Sequence, residues 1–359
     1  MTLDAGPRTR RLAIIDPTTD PRWEAFVQAR PDSDVFHTTA WARVLVETYG
    51  YEPRYHVVEN SADQFEAGWP CMLVSSPLTG KRLVSLPFGD HCRPLVDTGT
   101  DAEALLDALI ADQGQLGAKT LEVRGWPRYG PDVPERLNPV PYYRLFETDL
   151  DPDPDMFWKR INGDSRRCVR QAREKNLSIR PAESLDDLAA FYALNLMLRR
   201  RHGMLPQPRS LFTALYRNFI QPGNGRIWLA EVEDQVVAGV LCITHRDKVY
   251  DKFAPSNPEF WSYRPNHLLL WTSVEWSCRH GYTHYDLGRV GADATGLASF
   301  KEQWGFVGRD LPYYYYPAPG GFNVTQPEGI KKQALGLFAR YAPERIFVEA
   351  GERLYRHLG

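Results

Sequence analysis

Cysteine is scarce in this 359-residue chain, and its few cysteines are scattered. Cys71, Cys92, Cys168, Cys242 and Cys278 are odd in number and form no C-x-x-C pair, which argues against a zinc site and a disulfide framework. They read as buried structural thiols of a protein kept in a reducing cytoplasm. No window approaches the roughly 20 apolar residues of a membrane span, and no apolar stretch of signal-peptide length follows the charged segment Met1 to Arg11. A charge excess is missing too: the formal net charge is −2, so any anion-binding surface has to be local. There is no G-x-S-x-G nucleophile elbow, no G-x-x-x-x-G-K-[ST] phosphate loop and no G-x-G-x-x-G fingerprint. His37, His91, His245, His267 and His284 fall at no metal-ligating spacing, so no metal is expected.

What is present is ordinary globular material, 43% hydrophobic and 25% charged, in a chain longer than a usual single core. Two domains are expected, of mixed α/β (α+β) class. Residues 12–60 read as strand, helix, strand. Gly68 to Ser75 and Leu83 to Leu86 read as a hairpin about a Pro77–Gly80 turn. A helix over 102–117 and strands over 120–124 and 142–149 follow. Asp151-Pro152-Asp153-Pro154-Asp155 reads as a helix-breaking hinge, which puts the boundary between domains at 1–150 and 151–320. The second domain reads as helix 156–176, strand 177–180, helices 184–201 and 208–219, strands 226–232, 236–245 and 248–253, helix 267–280, strand 283–287 and helix 297–304. The tail, Gly329 to His357, has the pattern of two amphipathic helices.

Three segments carry candidate chemistry. Between Lys159 and Arg180, eight basic residues face only Asp164 and Glu174, an excess of six charges in 22 residues. On a helix Arg166, Arg170 and Arg173 fall at i, i+4 and i+7. Like charges at that spacing repel unless an anion neutralises them. A solvated basic face is the plain alternative; the local excess favours binding of phosphate or nucleic-acid backbone, with Arg166, Arg167 and Arg170 as its residues. The second segment is Val249 to Phe253, where Tyr250 and Lys252 alternate on a strand and share one face. It leads to Tyr263-Arg264-Pro265-Asn266, where Asn266 is placed to cap the following helix. The third runs from Tyr285-Asp286-Leu287-Gly288-Arg289 to Ser299-Phe300-Lys301-Glu302-Gln303-Trp304-Gly305: a strand, a glycine-bearing loop, and a short helix holding one lysine among aromatics. A cation placed so suits an anion or an oxyanion. Asp286 is placed to orient Lys301 or Arg289, a plain surface ion pair being the alternative.

These segments, taken in order with Val35-Phe36-His37, Trp41 and Ser85-Leu86-Pro87-Phe88-Gly89-Asp90, resemble the Fem-type branch of the GNAT acyltransferases, which includes the peptidoglycan-bridge aminoacyltransferases. The set spans nearly the whole chain, though each motif is short. The resemblance implies two tandem GNAT-like domains, with the tail 321–359 returning to the first. It implies an acceptor cleft reached from both domains and aminoacyl-tRNA as donor, with no bound cofactor. The lysine of the Phe-Lys pair is then Lys301, stabilising negative charge in acyl transfer. The coiled-coil arm of some members is missing, and so is a clear pyrophosphate loop for CoA. The expected activity is transfer of an amino acid to an amine of a cell-wall precursor or other small acceptor. The catalytic residues would be Lys301 and Asp286, with Arg166, Arg167, Arg170, Tyr250, Lys252, Arg289, Phe300 and Trp304 binding substrate. The expected partners are aminoacyl-tRNA and an anionic or lipid-linked amine, with peripheral membrane contact, for a monomer. The alternatives are a CoA-dependent N-acyltransferase of a small or saccharide amine and a non-catalytic binding protein of the same fold.

Overall fold

The computed structural model of the protein describes residues 10–318 and 330–359. The chain divides into two units. One takes the residues up to Tyr142, a return segment from Leu311, and Arg356–Gly359; the other takes Tyr143–Asp310 and the tail helices to Tyr355.

The first unit begins with β1 (Arg11–Ile15), α1 (Pro21–Ala29), α2 (Thr39–Tyr49), β2 (Glu52–Pro53), β3 (Tyr55–Glu59) and β4 (Phe65–Trp69). Then come β5 (Met72–Ser76), β6 (Gly80–Val84), α3 (Gly99–Leu116) and β7 (Leu121–Arg124). β1, β3 and β4 form an antiparallel sheet. β2, β5, β6 and β7 form a second one, in which β6 and β7 are parallel. The hairpin expected about Pro77–Gly80 is present: Ser76 Oγ accepts from the Leu78 and Thr79 N–H groups, and Gly80 takes φ +82°. α3 starts where Thr98 accepts the Asp101 N–H and ends at Gly117 in the left-handed region, the residue best suited to that conformation. Its leucines Leu105, Leu106 and Leu109 pack with Trp69, Leu83, Leu121 and Val123 as the core. In the Ser85–Asp90 loop Leu86 and Phe88 hold φ of +60° and +62°, costly for side chains of that size. The buried Arg124 holds the loop by donating to the Leu86 and Gly89 carbonyls.

The second unit takes over within β8 (Asn138–Asp149), followed by α4 (Pro154–Arg160), α5 (Gly163–Glu174), β9 (Ser178–Pro181), α6 (Leu185–Arg201) and α7 (Arg209–Leu215). It continues through β10 (Gly225–Val232), β11 (Gln235–His245), β12 (Lys248–Phe253), α8 (Pro265–Arg279), β13 (His284–Gly291), α9 (Thr295–Gln303) and β14 (Val307–Tyr316), of which the residues from Leu311 belong to the first unit and those from Tyr313 pair with β7. The tail supplies α10 (Ile330–Tyr341) and α11 (Glu344–Leu354). The sheet order is β8–β13–β12–β11–β10–β9, antiparallel except for the parallel pair β12 and β13. β11 is buried along nearly its whole length, as its unbroken apolar run requires. α8 packs over β10 and β11 with Leu268, Trp271, Val274 and Cys278 turned into the core.

Four expectations are corrected. The boundary lies at Tyr142 and Tyr143 rather than 150 and 151. The Asp-Pro-Asp-Pro-Asp run is a helix start inside the second unit: Asp153 caps α4, and Pro154 occupies its first turn, where the missing N–H costs nothing. The helix expected over 156–176 is two helices, because the Asn162 side chain turns back to accept the Asp164 and Ser165 N–H groups and so starts α5. The tail helices pack on the second unit, not the first. Arg200 donates to the Ala342 carbonyl, and Glu352 accepts the Arg209 N–H. Gly351 lies so close to Pro206 that a Cβ there would stand 2.5 Å from the Pro206 carbonyl oxygen. Only Arg356–Gly359 joins the first unit, where Arg82 donates to the Gly359 carbonyl. The part of the expected tail at 321–329 lies outside the described residues.

Candidate active site

β12 and β13 pair in parallel at three levels only, Lys248 with His284, Val249 with Tyr285 and Tyr250 with Asp286. Beyond that level both strands are irregular. Along β12, the residues paired with β11 pass from Asp251, opposite Cys242, to Phe253, opposite Leu241, and skip Lys252. Along β13, three steps from Asp286 to Arg289 face two steps of β8, from Glu147 to Leu145. Each is a β-bulge, one extra residue that bends its strand and leaves backbone groups off the ladder. The parallel pairing ends where the bulges begin, so the strands part in a wedge. Tyr250 is buried, and Lys252, the residue that the β11 pairing skips, is half-buried.

The bulge of β13 is held from two sides. Gly288 takes φ +71°, and its N–H donates to Asp286 Oδ1 at 2.5 Å. From α9, the buried Lys301 ammonium donates to the carbonyl oxygens of Leu287 (2.5 Å) and Gly288 (3.0 Å) and stands 5.4 Å from the centre of the Phe146 ring. The lysine singled out in the sequence thus satisfies carbonyls that the sheet no longer serves, and it brings a positive charge to the mouth of the wedge. Arg289, just past the bulge, lies 4.2 Å over the Tyr143 ring.

The aromatics around Lys301 pack on a histidine. Trp304 is fully buried, and Phe300 is half-buried; both contact the ring of His267 on the first turn of α8, at 6.0 and 5.4 Å between centres. Burial, aided by the nearby Arg264 charge, lowers the His267 pKa to about 4 and keeps its ring neutral. Sequence reasoning weighed His267 only as a metal ligand; its place beside Pro265 at a helix start was the available signal. α8 opens at Pro265, capped by Arg264 in the left-handed conformation, φ +60°. Asn266 is inside the helix rather than its cap, and its side chain donates to Ser256 Oγ, which also accepts the Trp261 indole N–H. Lower down, Cys242 of β11, Ser273 of α8 and Tyr285 of β13 form a buried triangle, with 2.7 Å between the two hydroxyl oxygens. It fixes the rotation of α8 on the sheet beside the wedge. Burial pushes the Cys242 thiol up to about 12, so it stays protonated.

α5 adjoins this region through its start: the Asn162 N–H donates to the Gln303 carbonyl at the end of α9. Ser165, Val169 and Ala172 form its buried stripe. One position further round, Arg166 is half-buried, and Arg170 and Arg173 are exposed, as the helical spacing requires. Arg167 pairs with Asp164, and Arg170 lies over Trp158. Lys301, Asp286 and Arg289 therefore gather about one bulge, while Phe300 and Trp304 flank Lys301 along α9 and pack on His267. Tyr250 and Lys252 belong to the opposite strand of the wedge, and Arg166, Arg167 and Arg170 form a separate surface on α5.

Residues 159–302 match the family described as the acetyltransferase (GNAT) domain. No curated protein matches the sequence. Among solved structures, FemX superposes with a TM-score of 0.67 at 16% identity, over 85% of this chain and 97% of that one. L-PGS from Bacillus licheniformis does so at 0.52 and 13%, over 90% and 98%. A tandem GNAT protein of the clavulanic acid biosynthesis pathway gives 0.52 and 11%, over 87% and 100%. At such identities the likeness is one of fold. Residues 159–302 thus carry the match to the acetyltransferase (GNAT) domain, in a chain whose fold is similar to that of a tandem GNAT protein.

Proposed function

We propose that the second unit transfers an aminoacyl group from aminoacyl-tRNA to the amine of a cell-wall precursor or other small acceptor. The acceptor nitrogen attacks the ester carbonyl, the tetrahedral intermediate carries an oxyanion, and the carbon–oxygen bond to the ribose breaks. An amide forms, the ribose hydroxyl leaves with a proton, and the amine gives one up. The observation that carries this reading is the buried Lys301 ammonium fixed to the Leu287–Gly288 bulge where β12 and β13 part. A cation preorganised by backbone carbonyls needs no rearrangement to stabilise an oxyanion in the wedge, which is what acyl transfer asks of a site. Asp286 shapes the bulge through the Gly288 N–H, Arg289, Phe300 and Trp304 complete its surroundings, and Tyr250 and Lys252 supply the other strand. The half-buried and exposed arginines of α5, Arg166, Arg167 and Arg170, suit the phosphates of a nucleic-acid donor or an anionic, lipid-linked acceptor.

A second reading, CoA-dependent N-acylation, draws on the start of α8, where Arg264 caps the helix in the left-handed conformation with no side-chain bond to its first turn. The two are separated by supplying each donor in turn. Transfer of label from charged tRNA to an amine, with no stabilisation of the protein by acyl-CoA, supports the first. A melting temperature raised by acyl-CoA, with transfer from it, replaces the first reading by the second.

A further inference from the structure

Behind the wedge, the outer side of α5 and the C-terminal half of α8 carry a run of cations laid on aromatic rings. Arg170 lies over Trp158, whose ring meets Trp271 of α8 at 4.5 Å. One turn on, Glu275 bridges Arg279, at 2.7 Å, and Arg173, at 4.0 Å. Beside Glu275 is Trp276. The exposed ring of His280 stacks on it at 4.6 Å and 29°, and Tyr282 lies against it at 5.3 Å. Arg226 of β10 sits 5.1 Å from both the Trp276 and the Trp228 rings. None of these groups takes part in the bulge or the wedge. Among the described residues, the ion pairs of Arg170, Arg173, Arg279 and Arg226 are made with one carboxylate, Glu275.

We infer that this strip is a track for single-stranded or looped RNA, the body of the tRNA whose charged end enters the wedge. The inference rests on the proposed aminoacyl-tRNA donor. Alternating guanidinium groups and flat rings are what such a strand uses. Phosphates are met by arginines, and bases stack on rings with no need for a particular sequence. The exposed His280 ring offers the outer face of a stack already built beneath it. Arg226, held between two indoles, is preorganised to receive a phosphate. A small acyl-CoA has no use for a surface that continues from α5 past the far end of α8.

Fluorescence anisotropy with uncharged bulk tRNA, titrated across a series of salt concentrations, tests the strip. Arg226→Gln combined with His280→Ala should weaken binding roughly tenfold and flatten the salt dependence by about one phosphate contact. Arg173→Gln combined with Arg279→Gln should flatten it by about two. Melting curves of the variants check that the fold is kept. If the parent protein binds tRNA and both variants bind as tightly with the same salt slope, the strip is refuted and the donor reading stands. If the parent protein binds no tRNA and acyl-CoA stabilises it instead, both are refuted. If the same substitutions abolish binding to anionic lipid vesicles and leave tRNA binding unchanged, the surface meets membranes, and the inference is overturned.

Discussion

Replacing Lys301 by methionine keeps the length of the side chain and removes the two bonds that hold the β13 bulge. The carbonyls of Leu287 and Gly288 lose their donor in a site where Lys301 is only 6% exposed. A buried acceptor left unsatisfied costs about 1–3 kcal/mol. With some relaxation, and the sulfur no substitute donor, a loss of about 3 kcal/mol is expected. In a folding unit of this size, about 2–4 °C of melting temperature goes with each kcal/mol, so differential scanning calorimetry should show a drop of about 6–12 °C. The variant should nonetheless be folded at 20 °C, and at that temperature its acyl transfer should be lower by about a hundredfold or more, the scale of losing an oxyanion donor. Each half of the reasoning is refuted separately. A melting temperature within a degree of the parent's means the ammonium does not support the bulge, and unchanged turnover means it does not serve the reaction.

Gly351→Ala should release the tail. A Cβ would meet the backbone of Pro206, which has little freedom to yield, so a cost of about 1–3 kcal/mol is expected. Faster hydrogen exchange and earlier proteolysis confined to α10 and α11 would show it; unchanged protection would refute the close packing. His267 makes a prediction in pH. It is neutral when folded, with a pKa near 4, and takes up a proton near 6.5 when unfolded. The unfolded chain therefore binds the proton first as pH falls, and the stability due to this group is whole above about 6.5 and lost progressively towards 4. His267→Phe should lose less stability than the parent between pH 7 and pH 4.5 in urea unfolding; parallel losses would refute the burial argument.

Much of the second unit was legible because its signals are local. The strands 226–232, 236–245 and 248–253 match β10, β11 and β12 to within a residue, since continuous apolar runs and short turns leave little choice. The arginine face of α5 followed from helical spacing alone. Less legible was β14, whose Tyr313 to Tyr316 run was assigned no element. Its partner β7 is far away in sequence, and no local pattern announces it. The Asp-Pro-Asp-Pro-Asp run misled because its residues serve equally as hinge and as helix start. Only the packing of Phe157 and Ile161 into the second core decides between them.

The sequence by itself pointed to the GNAT-like fold, through the resemblance carried by an ordered set of short motifs, and it picked out Lys301 as a cation among aromatics. The tertiary structure alone decided what that cation touches. A β-bulge is an extra residue in one strand relative to another, a relation between segments that no single segment records. The wedge, the two bulges and the carbonyls that Lys301 satisfies exist only once β8, β13, β12 and β11 lie side by side.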